Sequence, residues 1–372
     1  MAQREALSHQ LAFLQKRQIS DPLFTMAIDM NETQLCLFSI ALSEDVPYLV
    51  TLGVKQLLSL VGLVWLPVAM CSETLSSTFH PNARLLLKMN ILFVIISCCG
   101  TLLCESIDLA RFVVIKAVRI NSNWDYTDCL IPSISPILSV CAKMLKIYSH
   151  VASTLFISAW VAERVYASVF IKTYEKNNLT IGIGSSSIAL ITCTVINGFR
   201  LVFMDYCQRM FYTGLTDKNH IAEPVMFSLA ALEVANVVIL AVLFFLNRKW
   251  RSRGSRFETS LSHKYQIEEN INAISFVFPL ATVHCVFYMA TNFLMAFLAF
   301  SQSTVVSRTI AAARTEFIPF YYVVFPLLLH LRTVAKRNRI SRLVSIHYIG
   351  NYSTQVQKEE NEHFDMLRKM FN

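Results

Sequence analysis

Residues 158–175 read SAWVAERVYASVFIKTYE, and this stretch decides how the rest of the chain is interpreted. An apolar run ends abruptly at Glu163-Arg164, and cationic and aromatic residues follow it. Charges are costly at the centre of a bilayer and tolerated at its water edge. The acid–base pair therefore marks the point where a membrane helix meets an aqueous compartment.

The composition is typical of a protein that crosses the membrane several times. Of 372 residues, 54% are hydrophobic and only 16% are charged, whereas about a quarter of a soluble domain is charged. The mean hydropathy is +0.47. The charges cluster between long uncharged stretches, as in helices joined by polar loops. The net charge of +8 then reflects basic cytoplasmic loops, and no basic soluble face for nucleic acid is apparent.

Seven apolar stretches are predicted to cross the membrane, which makes the fold an all-α bundle of seven transmembrane helices. An N-terminal segment, 1–46, precedes them, with residues 1–25 predicted to be disordered. A cytoplasmic segment, 332–372, follows, and its residues 332–345 are predicted to form an amphipathic helix on the inner leaflet. The seventh stretch contains charges and prolines that are tolerable only inside the bundle. The expected spans are residues 47–70, 85–107, 138–163, 181–203, 223–246, 271–300 and 309–331.

The distribution of positive charge over the loops predicts the orientation of the bundle. With the N-terminus outside, the inner segments hold 15 Lys and Arg residues and the outer segments hold 10. Since positively charged loops remain in the cytoplasm, the N-terminus is predicted outside, and the C-terminus and Glu163-Arg164 inside. Asn31, in the sequon Asn31-Glu32-Thr33, is then predicted to be glycosylated.

Cysteines outside the spans are candidates for a disulfide, because they face an oxidising compartment. Cys129 and Cys207 fall in the first and second outer loops. A bridge between them would tie the third helix to the second outer loop. Cys36 is a competing outer thiol, and Cys141 is an alternative within the third span. The sequence leaves the pairing open.

Ionisable residues inside the spans are the candidates for ligand binding, because such groups are rare there and usually functional. Lys143, Lys146 and His150 stand at i, i+3 and i+7, on one face of the third helix. Glu233 lies in the middle of the fifth span, with Lys146 or Arg200 as its predicted partner. The belt is predicted to bind a small polar or anionic ligand. The alternative is an internal ion pair, or lysines that extend outwards to the interface. The candidates are Lys143, Lys146, His150, Arg200 and Glu233.

Several motifs resemble those of one receptor family, and they occur in the family's order. They are FHPNARLL at 79–86, SIDLARF at 106–112, TDCLIPS at 127–133, ERVYAS at 163–168, LSHKYQIEEN at 261–270 and IPFYYVVFPLLL at 318–329. On these residues the chain resembles the nematode serpentine chemoreceptors of the alpha, ab, beta and epsilon group, with the ab class favoured. One departure is Thr127-Asp128-Cys129, which stands where the family commonly has Asp-Pro-Cys-Asp.

The resemblance implies a G-protein-coupled chemosensory receptor in the plasma membrane, in a sensory cilium. It implies a small external chemical as ligand, a heterotrimeric G-protein and the lipid bilayer as partners, and no cofactor. Glu163-Arg164 occupies the place of the Asp-Arg pair of the wider superfamily. An arginine fork can pair with a carboxylate in one state and with the transducer in another. The alternative is that the pair is an interfacial anchor.

Two acidic residues just before the sixth span, Glu268 and Glu269, are the predicted resting partners of Arg164. Lys264 belongs to the basic loop 248–264 which, with 332–342, is predicted to dock the G-protein. The alternative is that these charges set the topology and attract anionic lipid.

Other classes of protein lack support in the sequence. The chain has no P-loop, HExxH motif, nucleophile elbow or Cys/His cluster, so no enzymatic activity, metal or cofactor is predicted. His284, in the sixth span, is interpreted as a core histidine. The rival function is a ligand-gated ion channel or a small-molecule transporter. Neither the internal repeat of many transporters nor a filter-like element is found.

Overall fold

The computed structural model of the chain is almost entirely helical in the part that it describes. That part comprises residues 32–71, 80–121, 132–170, 174, 179–203, 213, 222–254, 261–301, 305–335 and 338. The helices of more than one turn in these ranges are α1 (Glu32–Glu44), α2 (Val46–Cys71), α3 (Pro81–Asn121), α4 (Pro136–Val169), α5 (Thr180–Val202), α6 (Ala222–Gly254), α7 (Leu261–Ser301), α8 (Val305–Thr315) and α9 (318–335).

Six stretches are long and apolar enough to cross a bilayer. They are Val46–Cys71, Pro81–Val118, Thr180–Val202, Pro224–Ser252, Ile267–Met295 and Thr309–Ala335. Large apolar side chains such as Val64, Ile188 and Phe245 are exposed on these helices, as expected of surfaces that face lipid. The predicted all-α, membrane-spanning bundle is confirmed, and its orientation across the membrane stays a prediction.

Another long helix, α4, has 34 residues, which give a length of about 51 Å. It contains the predicted third span, 138–163, and it carries lysines, a histidine and several serines. These polar side chains are tolerated because α4 packs against α3, α5, α6 and α7 and buries half of its residues. Trp160 and Phe156 are fully buried in the core. The position of α4 places Lys146 and Arg164 on one central element.

The last span is broken at residues 316–317, between α8 and α9. Pro319 lies in the first turn of α9, where the missing N–H costs nothing, and its ring opposes continuation of the preceding helix. The freed backbone N–H of Phe317 donates to Oγ1 of Thr291 on α7, at 3.0 Å. The break points Glu316 into the bundle, where an interruption of this kind is tolerated.

An additional helix, α1, covers one end of the bundle. Ile40 and Leu42 are buried against α2 and α3, in a small apolar cluster that includes Phe112. Asp45 stands between α1 and α2. Its Oδ1 accepts from the N–H of Tyr48 on α2 at 2.8 Å and pairs with Arg314 on α8 at 2.9 Å. The sequence analysis assigned no element to residues 32–44, so α1 is a finding of the structure.

Polar contacts between helices supplement the apolar core. Lipid tails are as apolar as leucine, so helices associate in a membrane through packing and interhelical hydrogen bonds. The Tyr322 hydroxyl of α9 lies 2.6 Å from Oγ of Ser97 on α3. Asn247 of α6 donates to Oγ of Ser168 on α4 at 3.1 Å. Such bonds fix the rotation of each helix and thereby the positions of the functional side chains.

Some predictions fall outside the described residues. They concern the sequon at Asn31, the disulfide candidates Cys129 and Cys207, and most of the amphipathic segment 332–345. Cys36, the competing outer thiol, is disulfide-bonded. Cys141 is a free thiol.

Candidate functional site

A cavity of about 410 Å³ lies at the end of the bundle that α1 covers, opposite the end that carries Arg164. Residues of α2, α3, α4, α5, α6, α7, α8 and α9 line it. A cavity of this size is within the range of small-molecule sites, about 300–1,000 Å³. Four of the five ligand-binding candidates line it together: Lys143, Lys146, His150 and Arg200.

Four charges from separate parts of the chain meet in the cavity wall, and we call them the charge quartet: Lys55, Glu105, Lys146 and Glu316. Nζ of Lys146 lies 3.2 Å from Glu105 and 2.5 Å from Glu316. Nζ of Lys55 lies 2.7 Å from Glu316 and 3.8 Å from Glu105. Because two cations face two carboxylates, the charge quartet is electrically balanced. Burial of such charges is tolerated only with pairing of this kind.

The partner of Lys146 therefore differs from the expected one. Lys146 pairs with Glu105 and Glu316 and not with Glu233, which does not line the cavity. Lys55 carried a signal in the sequence, since it is the only charge in its predicted span. Glu316 shares its predicted span with Arg314, and Glu105 shares the second span with Lys88; neither was named as a candidate for binding. The pairing itself depends on helix rotation, which the sequence pattern does not contain.

Glu233 has a different neighbour, His284 on α7. Its Oε1 lies 2.9 Å from Nδ1 of His284, and both side chains are completely buried. Nε2 of His284 lies 3.0 Å from Oγ of Ser153 on α4, and the ring stacks on Tyr288 at 3.9 Å. The interpretation of His284 as a core histidine agrees with this burial. The predicted partners of Glu233, Lys146 and Arg200, are not the ones observed.

A second set of polar residues surrounds Lys143. Its Nζ donates to the backbone oxygen of Thr213 at 2.8 Å. The same Thr213 donates from its N–H and Oγ1 to Asp108, at 2.6 Å and 2.7 Å. Among the described residues, no carboxylate forms an ion pair with Lys143.

Aromatic and hydroxyl side chains connect the cavity to the centre of the bundle. Nε2 of His150 lies 3.4 Å from the hydroxyl of Tyr322, and its ring packs edge-on against Tyr288 at 5.8 Å. Tyr288 in turn stacks on His284. A continuous series of contacts thus runs from the cavity wall to the Glu233–His284 pair.

At the opposite end of α4, Glu163 and Arg164 are both almost completely buried. Nε of Arg164 donates to Oε2 of Glu163 at 2.5 Å, and a second bond joins Nη2 to Oε1. Tyr174 donates to Oε1 of Glu163 and accepts from Arg164 at 2.9 Å. Burial raises the pKa of the Tyr174 hydroxyl well above its ordinary value, so it remains a donor. The charged pair is thus enclosed rather than exposed at a water edge.

The group of α7 that contacts Arg164 is the side-chain amide of Asn270 rather than a carboxylate. Nη1 of Arg164 donates to Oδ1 of Asn270 at 3.4 Å, and Nδ2 of Asn270 donates to the backbone oxygen of Ala167 at 3.1 Å. Glu268, a predicted partner, pairs with Arg251 of α6 at 2.8 Å, and both are largely exposed. In the described part of the chain neither Glu268 nor Glu269 forms an ion pair with Arg164. Lys264 lies in the first turn of α7.

No described group of three or more His, Cys, Asp and Glu side chains has the arrangement of a metal site.

The functional geometry consists of a polar cavity at one end, a buried Glu–Arg pair at the other, and α4 between them. Lys146 and Arg164 are 18 residues apart on α4, which corresponds to about 27 Å.

Comparison with known proteins identifies relatives over most of the chain. Residues 36–372 match the family described as serpentine type 7TM GPCR receptor class ab chemoreceptor. Serpentine receptor class alpha/beta-14 of Caenorhabditis elegans is 23% identical over 265 residues, which cover 61% of this chain and 66% of that protein. Serpentine receptor class beta-16 of the same organism is 25% identical over 367 residues, which cover 91% of this chain and 99% of the relative.

Proposed function

The chain belongs to the serpentine receptor class ab chemoreceptor family, and from this membership we propose that it binds a small external chemical and signals through a heterotrimeric G-protein. The family is one of multi-pass membrane receptors and not of enzymes. The cavity of about 410 Å³ supports the proposed binding, because it is enclosed by helices and lined by apolar side chains with a few convergent charges.

The proposed orientation places the cavity outside and Arg164 in the cytoplasm of a sensory cell, at the plasma membrane of its cilium. The excess of Lys and Arg in the inner segments supports this orientation. A dissolved chemical then reaches the cavity from the exterior. The basic residues of α6 and α7 face the compartment that contains the G-protein.

The observation that carries the proposal is the enclosed Arg164. Its guanidinium is bound by Glu163 and Tyr174, and Asn270 connects it to α7. A change in how α4 packs against α7 would separate Arg164 from Asn270. The guanidinium of Arg164 could then leave Glu163 and bind a group of the G-protein. The cavity and Arg164 lie on the same helix, so a ligand that shifts α4 acts at both ends.

The test is substitution of Arg164. We expect Arg164→Ala to abolish ligand-evoked calcium signals in a sensory cell screened with pooled odorants and secreted metabolites, while surface delivery persists. Because Arg164→Ala leaves Glu163 buried without its cation, Glu163→Gln/Arg164→Gln serves as a second variant with no unpaired charge. Lys116→Ala, at an exposed lysine of α3 outside both the cavity and the proposed docking segments, is the control.

Two results would contradict this proposal. One is unchanged signalling in both Arg164 variants at normal surface density. The other is a ligand-evoked current that needs no G-protein, which would favour the ligand-gated channel.

A further inference from the structure

The described lining of the cavity carries charges of both signs. Its cationic side chains are Lys55, Lys143, Lys146 and Arg200, and its carboxylates are Glu105, Asp108 and Glu316. The charge quartet is balanced within itself, and Arg200 has further contacts. Lys143 is the cation whose surroundings decide what the cavity can bind.

Lys143 has capacity for a further partner. A lysine ammonium has three donors, and the described contact of Lys143 is one hydrogen bond to the backbone oxygen of Thr213. That acceptor is neutral, so it leaves the charge of the ammonium uncompensated. Asp108 is nearby, but its two oxygens accept from Thr213. Thr213 thus separates the carboxylate from the lysine and keeps the two charges from pairing.

Two of the three described carboxylates of the cavity, Glu105 and Glu316, are poor sites for a cationic ligand, and the third, Asp108, accepts from Thr213 with both oxygens. Glu105 and Glu316 each contact both Lys55 and Lys146 within 3.8 Å. An ammonium group from outside would have to displace one of these lysines and leave it buried without a partner, which is strongly unfavourable. An anion at Lys143 displaces nothing from the charge quartet.

One part of the lining near Lys143 is apolar. Ile147 stands one turn along α4 from Lys143, and Val151 follows one turn further. Leu229 of α6 and Met295 of α7 lie in the same wall. The volume of about 410 Å³ limits the occupant to a small molecule. These features require an anionic group at one side of the ligand and an apolar body at the other.

We propose that the cavity takes a small amphiphilic monoanion, whose carboxylate or sulfate group binds Lys143 and whose apolar body packs against Ile147, Leu229 and Met295. This inference rests on the proposed function, since it names the ligand class of the same cavity. Lys143 determines specificity, because a half-buried ammonium paired with an anion discriminates against neutral and cationic analogues of equal shape.

The experiment compares matched probes on the full-length receptor purified in detergent. The probes are ω-phenylalkanoates from phenylacetate to 6-phenylhexanoate, with the alcohol, amine and methyl ester of the same chain length. The dissociation constant is taken from the dependence of the melting temperature on probe concentration. The variants are Lys143→Gln, Lys143→Arg, and Lys249→Gln as a control at an exposed lysine of α6.

At least one acid is expected to bind about tenfold more tightly than its alcohol, amine and ester, equivalent to about 1.4 kcal/mol. Lys143→Gln should remove this preference, while Lys143→Arg and Lys249→Gln retain it. If no acid binds, if alcohol or amine binds as well as acid, or if Lys143→Gln keeps the preference, the inference is wrong. If Lys143→Gln fails to fold, the acid and ester on the unsubstituted receptor decide it.

The binding measurement needs no G-protein, so the two proposals can fail separately. A receptor that prefers the acids but signals normally without Arg164 refutes the proposed switch and supports this inference. A receptor that signals through a G-protein to a neutral or cationic chemical bound in the cavity refutes this inference and supports the proposed function.

Discussion

The pair Glu233–His284 is a close polar contact in the centre of the bundle. Nδ1 of His284 and Oε1 of Glu233 are 2.9 Å apart, and both side chains are completely buried. The contact joins α6 to α7, and Ser153 extends the connection to α4.

Removing His284 should show how much the burial of an unpaired Glu233 costs in stability. We expect His284→Leu to destabilise the receptor by about 3–5 kcal/mol, because it leaves a carboxyl group buried without its partner. The double variant Glu233→Leu/His284→Leu should recover a large part of the loss, since no polar group is then orphaned. The measurement is the melting temperature of the purified receptor.

The control for this series is His330→Leu, at an exposed histidine of α9, which should leave the melting temperature nearly unchanged. If the double variant is as unstable as His284→Leu, or if His284→Leu has no effect, the pairing of Glu233 with His284 is not what stabilises this part of the bundle.

Single residues also show which part of the site the sequence could predict. The spacing of Lys143, Lys146 and His150 fixes their common direction, because they belong to one helix, and the structure places all three in one cavity. The partners of Lys146 and Glu233 lie on other helices. Their pairing depends on the rotation and depth of each helix, and a single sequence carries neither.

At the scale of helices, α3 and α4 approach each other closely beside the cavity. A Cβ atom built on Gly100 of α3 would lie 2.7 Å from the backbone N and 3.0 Å from Cα of Lys146. These are atoms of a rigid helix, which cannot move aside as a flexible side chain can. Glycine at this position therefore sets how closely Lys146 approaches Glu105 on α3.

Gly100→Ala should separate the two helices and disturb the charge quartet. We expect a lower melting temperature and a lower surface density in cells, because the added methyl group meets backbone and not a void. Gly184→Ala, on α5, is the matched control, since nothing lies within 4 Å of its added Cβ. That variant should be neutral or stabilised by up to about 1 kcal/mol. Equal behaviour of the two variants would contradict the proposed close contact.

Helix boundaries were predictable where composition decides them and not where tertiary packing does. The apolar runs indicated the spanning helices, and the prolines and charges of the last span indicated that they must face inwards, as Glu316 does. The sequence did not indicate α1, because residues 32–44 mix polar and apolar side chains and are ordered by burial against α2 and α3. The enclosure of Glu163 and Arg164 was also missed, since it depends on Tyr174 and Asn270 from elsewhere in the chain.

For the whole molecule, the prediction to test is that the N-terminus lies outside and the C-terminus in the cytoplasm. We expect glycosidase treatment of the receptor expressed in animal cells to reduce its apparent mass, and Asn31→Gln to abolish that shift, because an outside N-terminus exposes this sequon to the glycosylation machinery. An epitope tag at the C-terminus should be stained only in permeabilised cells. Staining of the C-terminal tag on intact cells would reverse the proposed orientation and place the cavity inside.

The charge quartet has a consequence for the order in which the chain is made. Lys55, Glu105 and Lys146 enter the membrane early in synthesis, and together they leave one lysine without a carboxylate. Glu316 arrives only with the last span, and it contacts both lysines. A nascent or truncated chain that ends before residue 316 therefore retains an uncompensated charge in hydrocarbon, which is costly. Insertion of the span that carries Glu316 neutralises this charge, because Glu316 then pairs with both lysines.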